Sequence, residues 1–148
     1  MSNPNEIDDR HDNECTQHGL REPAADIDEL AREVIGAAIE VHRTLGPGFL
    51  EPVYEGALAL ELQLRGIPFA RQTTIPIVYR GHVVGESRID LLVGEKLVVE
   101  LKAVDELARI HFAQAISYLR AGSFQLGLLI NFNTARLKDG LRRVVWTS

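Results

Sequence analysis

The chain has 148 residues, 45 % of them hydrophobic and 25 % charged, with a formal net charge of −5. That length gives one domain a sizeable core and is too short for two ordinary ones, and the balance is that of a soluble globular protein. No run approaches the roughly 20 apolar residues of a membrane helix, and a single cysteine, Cys15, excludes a disulfide framework and a thiolate zinc site.

The charge is unevenly spread. Residues 1–25 hold six acids and two arginines, so the remaining body is close to neutral, with 14 basic and 15 acidic residues. A near-neutral body does not advertise indiscriminate nucleic-acid binding. Arg136, Lys138, Arg142 and Arg143 still allow a local basic patch. Residues 1–25 lack periodicity and are rich in Asp, Asn, Glu and Pro, so they are expected to form a disordered acidic tail ahead of one domain over 26–148. MSNPNEIDDRHDNE has no signal-peptide character, and the expected location is the cytoplasm.

Ile27, Leu30, Val34, Ala38, Val41 and Leu45 form a helical stripe, which predicts a first helix from Asp26 or Ile27 to about Leu45. Asp26, Asp28 and Glu29 suit its first turn, and Gly46-Pro47-Gly48 stops it. A second helix is predicted from Glu51 to about Arg65, with Pro52 in its first turn and Gly66 as the stop. The two form a tight αα-hairpin across LGPG.

From Ile67 the period changes. Strands are predicted at Thr74–Tyr79 and Val83–Val93 around a turn at Arg80-Gly81, then at Leu97–Lys102. Pro76 argues for an edge position. A third helix is expected from about Asp105 to Arg120, ended by Gly122. Phe124–Asn131 reads as a strand buried on both faces. An Asn133–Gly140 loop and a last edge strand, Leu141–Trp146, complete the chain. The order α-α-β-β-β-α-β-β predicts an α/β (α+β) fold, a mixed central sheet flanked by helices.

One stretch, RIDLLVGEKLVVELKAV, places Asp90, Glu100 and Lys102 among apolar residues. Burying such charges costs several kcal/mol unless they are paired or hold a metal. Glu100 and Lys102 share a strand face, roughly 6.5–7 Å apart. Asp90 joins them only under one hairpin register. A two-residue loop at Gly94-Glu95 would pair Asp90 with Val99, whereas a three-residue loop through Lys96 would pair it with Glu100. The turn itself allows either. Facing carboxylates repel unless a cation lies between them. Mg²⁺ (or Mn²⁺) suits such a site, taking the two carboxylates and a carbonyl such as that of Leu101. It would activate a water toward a phosphodiester, with Lys102 stabilising the developing charge. The bland alternative is a set of solvent-facing ion pairs on an exposed strand. Arg88, on Asp90's face, would contact a phosphate or else pair with Glu86 or Glu100.

D…ExK on adjacent strands between helices resembles the PD-(D/E)XK nuclease superfamily. Gly48-Phe49-Leu50-Glu51-Pro52-Val53-Tyr54 further resembles the signature of its GxxExxY group, and VHRTLGPG, RIDLLV, VVELKAV, HFAQAISYL and LGLLINF are similar to supporting segments. The resemblance spans about residues 27–146. It departs in that no Pro precedes Asp90, a Pro the superfamily can dispense with. The resemblance implies a restriction-endonuclease-like core in which Asp90 and Glu100 hold the metal and Lys102 is the catalytic lysine. It implies that Glu51 assists metal binding; otherwise Glu51 serves the helix N-terminus. Gln114 and Tyr118, four apart on one helix face and joined by His111, resemble a Q-x-x-x-Y motif bordering the active site. Their alternatives are a core tyrosine and a capping or exposed histidine. Tyr54 is expected to pack, and His42 to be structural.

The function implied is a Mg²⁺-dependent nuclease acting on DNA, with RNA open as a substrate. A chain this small would need a homodimer or a partner protein to grip it. The competing reading is a non-catalytic nucleic-acid- or protein-binding module that keeps the fold. A hydrolase of some other substrate has no specific feature in its favour.

Overall fold

The computed structural model describes residues 25–147. The expected tail lies outside the described residues, except that the first helix already begins at Ala25. In chain order the elements are α1 (Ala25–Leu45), α2 (Glu51–Leu64), β1 (Phe69–Tyr79), β2 (His82–Val93), β3 (Leu97–Lys102), α3 (Arg109–Gly122), β4 (Leu126–Asn131), a short 3₁₀ turn (Leu137–Gly140) and β5 (Leu141–Val145). The predicted α-α-β-β-β-α-β-β order is the one found. Among the described residues no helix is long and apolar enough to cross a membrane.

The five strands form one sheet in the order β1-β2-β3-β4-β5. Only β3 and β4 run parallel, because α3 intervenes and supplies the crossover that parallel pairing requires. Helices cover both faces. On one side Val34, Ala38 and Val41 of α1 and Leu58 and Leu62 of α2 pack on Leu91, Val93, Leu97, Val99 and Leu101. On the other, Ala115 and Leu119 of α3 pack on Ile75, Ile89, Val98, Leu129 and Val144. β4, covered on both faces, is buried along its whole length, as an uninterrupted apolar run requires. β1 is an edge strand, which accommodates Pro76.

The αα-hairpin is held by Tyr54. Its ring stacks on Phe132, centroids 4.6 Å apart. Its hydroxyl donates to the Gly46 carbonyl at 2.6 Å and accepts the Phe49 N–H at 3.1 Å. This matches the packing role expected for it, and the hydroxyl also ties the LGPG loop to α2. Tyr54→Phe keeps the stack and loses both bonds. It should lower stability by about 1–2 kcal/mol in urea denaturation. His42 is structural as well, buried and bonded to the Thr134 carbonyl at 2.8 Å.

Several boundaries differ from expectation, each for a local reason. The third helix begins at Arg109 rather than Asp105. The Asn131 side chain accepts from the Val104 N–H and donates to the Val104 carbonyl, which holds the chain in a non-helical path past the acidic residues that resemble a helix start. β1 begins five residues earlier than predicted, at Phe69, through a kink at Gln72 described below. β4 starts at Leu126 rather than Phe124, because the Phe124 N–H returns to the Leu119 carbonyl to close α3. β5 ends at Val145, one residue before Trp146.

The hairpin between β2 and β3 decides the register left open by the sequence. Val93 pairs with Leu97, Leu92 with Val98 and Leu91 with Val99, so the loop is Gly94-Glu95-Lys96. One further step brings Asp90 opposite Glu100. Gly94 and Glu95 adopt φ of 58° and 62°. A Cβ on Gly94 would lie 2.7 Å from a Leu30 methyl of α1. Lys96 is tied to Asp26 of α1 by an ion pair, so the loop is anchored against that helix. Gly94→Ala adds a left-handed residue with a side chain and should lower stability by about 1–2 kcal/mol in the same assay.

Candidate active site

Beyond the Leu91–Val99 pair, β2 and β3 stop pairing through their backbones and exchange side-chain bonds instead. The Asp90 N–H donates to Glu100 Oε1 at 3.1 Å, and the Leu101 N–H donates to Asp90 Oδ2 at 2.8 Å. Each carboxylate therefore fills the place of a missing ladder partner on the other strand, which satisfies backbone groups that would otherwise be stranded. Oδ1 of Asp90 and Oε2 of Glu100 are left for other partners.

Glu100 is 6 % exposed. Burial first, and the Asp90 charge second, push its carboxyl up to about 8. Asp90 is raised too, chiefly by burial, against the opposing pull of the Leu101 N–H. Burial raises both acids; the neighbouring charge that adds to it is Asp90 for Glu100 and Glu55 for Asp90.

Glu51 enters from the first residue of α2. Its carboxyl is raised by burial and then by the Asp90 charge, while Lys102 pulls it back down. Among the described residues that carboxylate accepts no hydrogen bond, and Leu50 gives α2 no side-chain N-cap; Glu51 stands in the first turn of α2, where its charge also suits the helix N-terminus. Lys102, at the end of β3, lowers all three acids through its charge. Among the described residues its ammonium makes no ion pair within 4.0 Å. From the opposite face of the sheet comes Tyr118 on α3, whose hydroxyl is raised by burial and then by Glu100 and Asp90. The sheet end thus gathers Asp90, Glu100, Lys102, Glu51 and Tyr118.

Arg88 and Gln114 are exposed, and no hydrogen bond or ion pair joins them to the acids among the described residues. Arg88 accordingly pairs with neither Glu86 nor Glu100 there. His111 accepts the Ala108 N–H at 2.9 Å through Nδ1, so it caps α3, as its alternative reading had it. The basic cluster near the C-terminus is also less concentrated than its sequence suggests, because Arg143 is paired with Asp28 of α1.

Sequence reasoning missed Glu55, Arg71 and Gln72. Glu55 lies one turn beyond Glu51 and is buried. It accepts from Arg71 Nη2 at 2.9 Å and from Gln72 Nε2 at 2.7 Å, and Gln72 Nε2 also reaches Asp90 Oδ1 at 3.4 Å. The spacing of Glu51 and Glu55 on one helix face was a usable signal. Nothing in the sequence of β1 marks Gln72.

The donor chemistry fits a hard divalent cation, since every candidate ligand is an oxygen and the clustered acids repel one another. Among the described residues, however, no three acidic, histidine or cysteine side chains are gathered into a ready-made metal cage. Asp90 and Glu100 are tied to each other's strands by hydrogen bonds, and Glu51 is linked to them by the Asp90 charge that raises its carboxyl.

The chain matches the model of the PD-(D/E)XK nuclease superfamily over residues 28–144. No curated protein and no solved structure was found to match it. The matched span covers most of the chain, including Glu51, Asp90, Glu100, Lys102 and Tyr118, and the mixed sheet flanked by helices is consistent with that fold. The chain belongs to the PD-(D/E)XK nuclease superfamily.

Proposed function

We propose that this protein is a Mg²⁺-dependent nuclease that hydrolyses phosphodiester bonds of DNA, with RNA as the alternative substrate. The observation that carries the reading is the three-residue hairpin loop, which brings Asp90 and Glu100 into mutual contact at the end of the strand bearing Lys102. Asp90 and Glu100, with the Leu101 carbonyl and Glu51, would hold Mg²⁺ or Mn²⁺. Bound there, the cation supplies Lewis acidity toward the phosphate and acidifies a water.

The chain's own residues do the remaining work. Lys102 Nζ, with no ion-pair partner among the described residues, is available to donate to a phosphate oxygen on which negative charge grows. Glu100, held at Oε1 by the Asp90 N–H, and Asp90, held at Oδ2 by the Leu101 N–H, keep their remaining oxygens at fixed positions. Tyr118 keeps its hydroxyl proton at working pH, because burial, and after it the Glu100 and Asp90 charges, raise it further, and so remains a donor toward the substrate backbone. Arg88, His111 and Gln114 are proposed nucleic-acid contacts further out. The segment GFLEPVY supports placement in the GxxExxY group, and we place the protein in the cytoplasm, gripping substrate as a homodimer or with a partner protein.

The test is cleavage of single- and double-stranded DNA with Mg²⁺ or Mn²⁺, comparing wild type with Asp90→Ala and Lys102→Ala. Activity surviving both substitutions would sink the proposal. Metal-independent binding without turnover would instead favour a non-catalytic binding module.

A further inference from the structure

Four described residues other than glycine have positive φ: Gln72, Arg80, Glu95 and Ser123. Arg80 and Glu95 sit in hairpin turns, and Ser123 is the left-handed cap of α3. Gln72 alone lies inside a strand, with φ of 52°. Glycine would adopt that conformation without steric penalty, and a long side chain kept there is an outlier of the kind that gathers at functional sites.

The kink has a local effect and a side-chain consequence. Arg71 pairs with Leu91 and Thr73 with Ile89, so Gln72 faces Asp90 with no ladder pair between them. The face alternation of both strands resets at this step. Phe69, Leu91 and Val93 pack toward α1 and α2, whereas Ile75 and Ile89 pack toward α3. The kink directs the Gln72 carboxamide between two acids. Its Nε2 donates to Glu55 Oε1 at 2.7 Å and reaches Asp90 Oδ1 at 3.4 Å. Glu55 is in turn fixed by Arg71, through Nε at 3.2 Å and Nη2 at 2.9 Å.

We propose that Gln72 is a positioning residue of the carboxylate site: anchored on Glu55 and Arg71, its carboxamide fixes the direction in which Asp90 presents Oδ1. The Leu101 N–H already holds Oδ2, so the two contacts together determine the orientation of the carboxylate. Gln72 also places a donor between Glu55 and Asp90, two acids that otherwise only repel. Outer partners of this kind set the affinity of the ligands they orient. The inference rests on the reading of Asp90 and Glu100 as a metal site.

The experiment is Mn²⁺ titration calorimetry on the full chain, without nucleic acid, for wild type, Gln72→Gly, Gln72→Asn and Asp90→Asn. Gln72→Gly keeps the backbone conformation accessible and removes the carboxamide. Gln72→Asn also tolerates positive φ but is too short to bridge both acids. Both are expected to fold, by circular dichroism and urea denaturation, and to bind Mn²⁺ about 10–100-fold more weakly than wild type. Their cleavage should recover toward wild type when Mn²⁺ is raised to saturation, which a residue serving only the backbone would not produce. Wild-type Mn²⁺ affinity in either folded variant overturns the role of Gln72. If wild type and Asp90→Asn take up Mn²⁺ alike, the metal-site reading itself fails, and this inference fails with it.

Discussion

Lys102→Gln is expected to lower single-turnover cleavage at saturating Mn²⁺ by about 10²–10³-fold, the usual loss when one donor to a developing oxyanion is removed. The substitution keeps length and polarity while removing the charge. Its effect should fall on the chemical step. Among the described residues Lys102 makes no ion pair, so the change breaks no direct contact and the fold should persist by circular dichroism, while the three acids lose the charge that lowers them. Asp90→Asn should be at least as damaging. The amide can still accept the Leu101 N–H, but it gives up the charge that would hold the cation. A loss of less than about threefold in Lys102→Gln would remove the lysine from the mechanism, being smaller than any single transition-state donor is worth.

Glu100→Gln should inactivate the protein and stabilise it. The sign follows from linkage. Glu100 is raised from an ordinary value of 4.5 to about 8 on folding. Between those values the folded state keeps a proton that the unfolded state has released. Its contribution to stability is therefore full below the unfolded value and is lost as pH rises through the folded one. Gln cannot ionise, and its Oε1 still accepts the Asp90 N–H. The burial cost of the amide and the remaining acids offset part of that gain. In EDTA, Glu100→Gln should exceed wild type by about 1–3 kcal/mol at pH 8, with the difference closing toward pH 4.5. Urea denaturation at the two pH values measures it. A variant less stable than wild type at pH 8 would mean that Glu100 is stabilised by its surroundings rather than strained by them.

What the sequence made legible was decided by short-range signals. The apolar stripe of α1, the LGPG break and the Leu97–Lys102 strand all follow from periodicity and turn chemistry, and the structure has them where expected. The third helix was misplaced at its start because Asp105 and Glu106 look like helix-initiating acids, while the contact that prevents initiation comes from Asn131, remote in sequence. The loop length after Val93 was undecidable for a related reason. Gly94 suits both turns, and what accompanies the longer one is packing on Leu30 and the ion pair to Asp26. At the site, Asp90, Glu100 and Lys102 stood out as charges in apolar strands. Gln72 and Arg71 did not, because a polar residue on an edge strand is ordinary until a kink and a helix carboxylate give it a task.

The central claim is that the odd-length hairpin makes Asp90 and Glu100 one cation site. Anomalous scattering from a crystal soaked in Mn²⁺ tests it most directly. A peak is expected in contact with both the Asp90 and the Glu100 carboxylates, lost in Asp90→Asn. A fully soaked crystal with Mn²⁺ bound elsewhere, and none between these two residues, would contradict it.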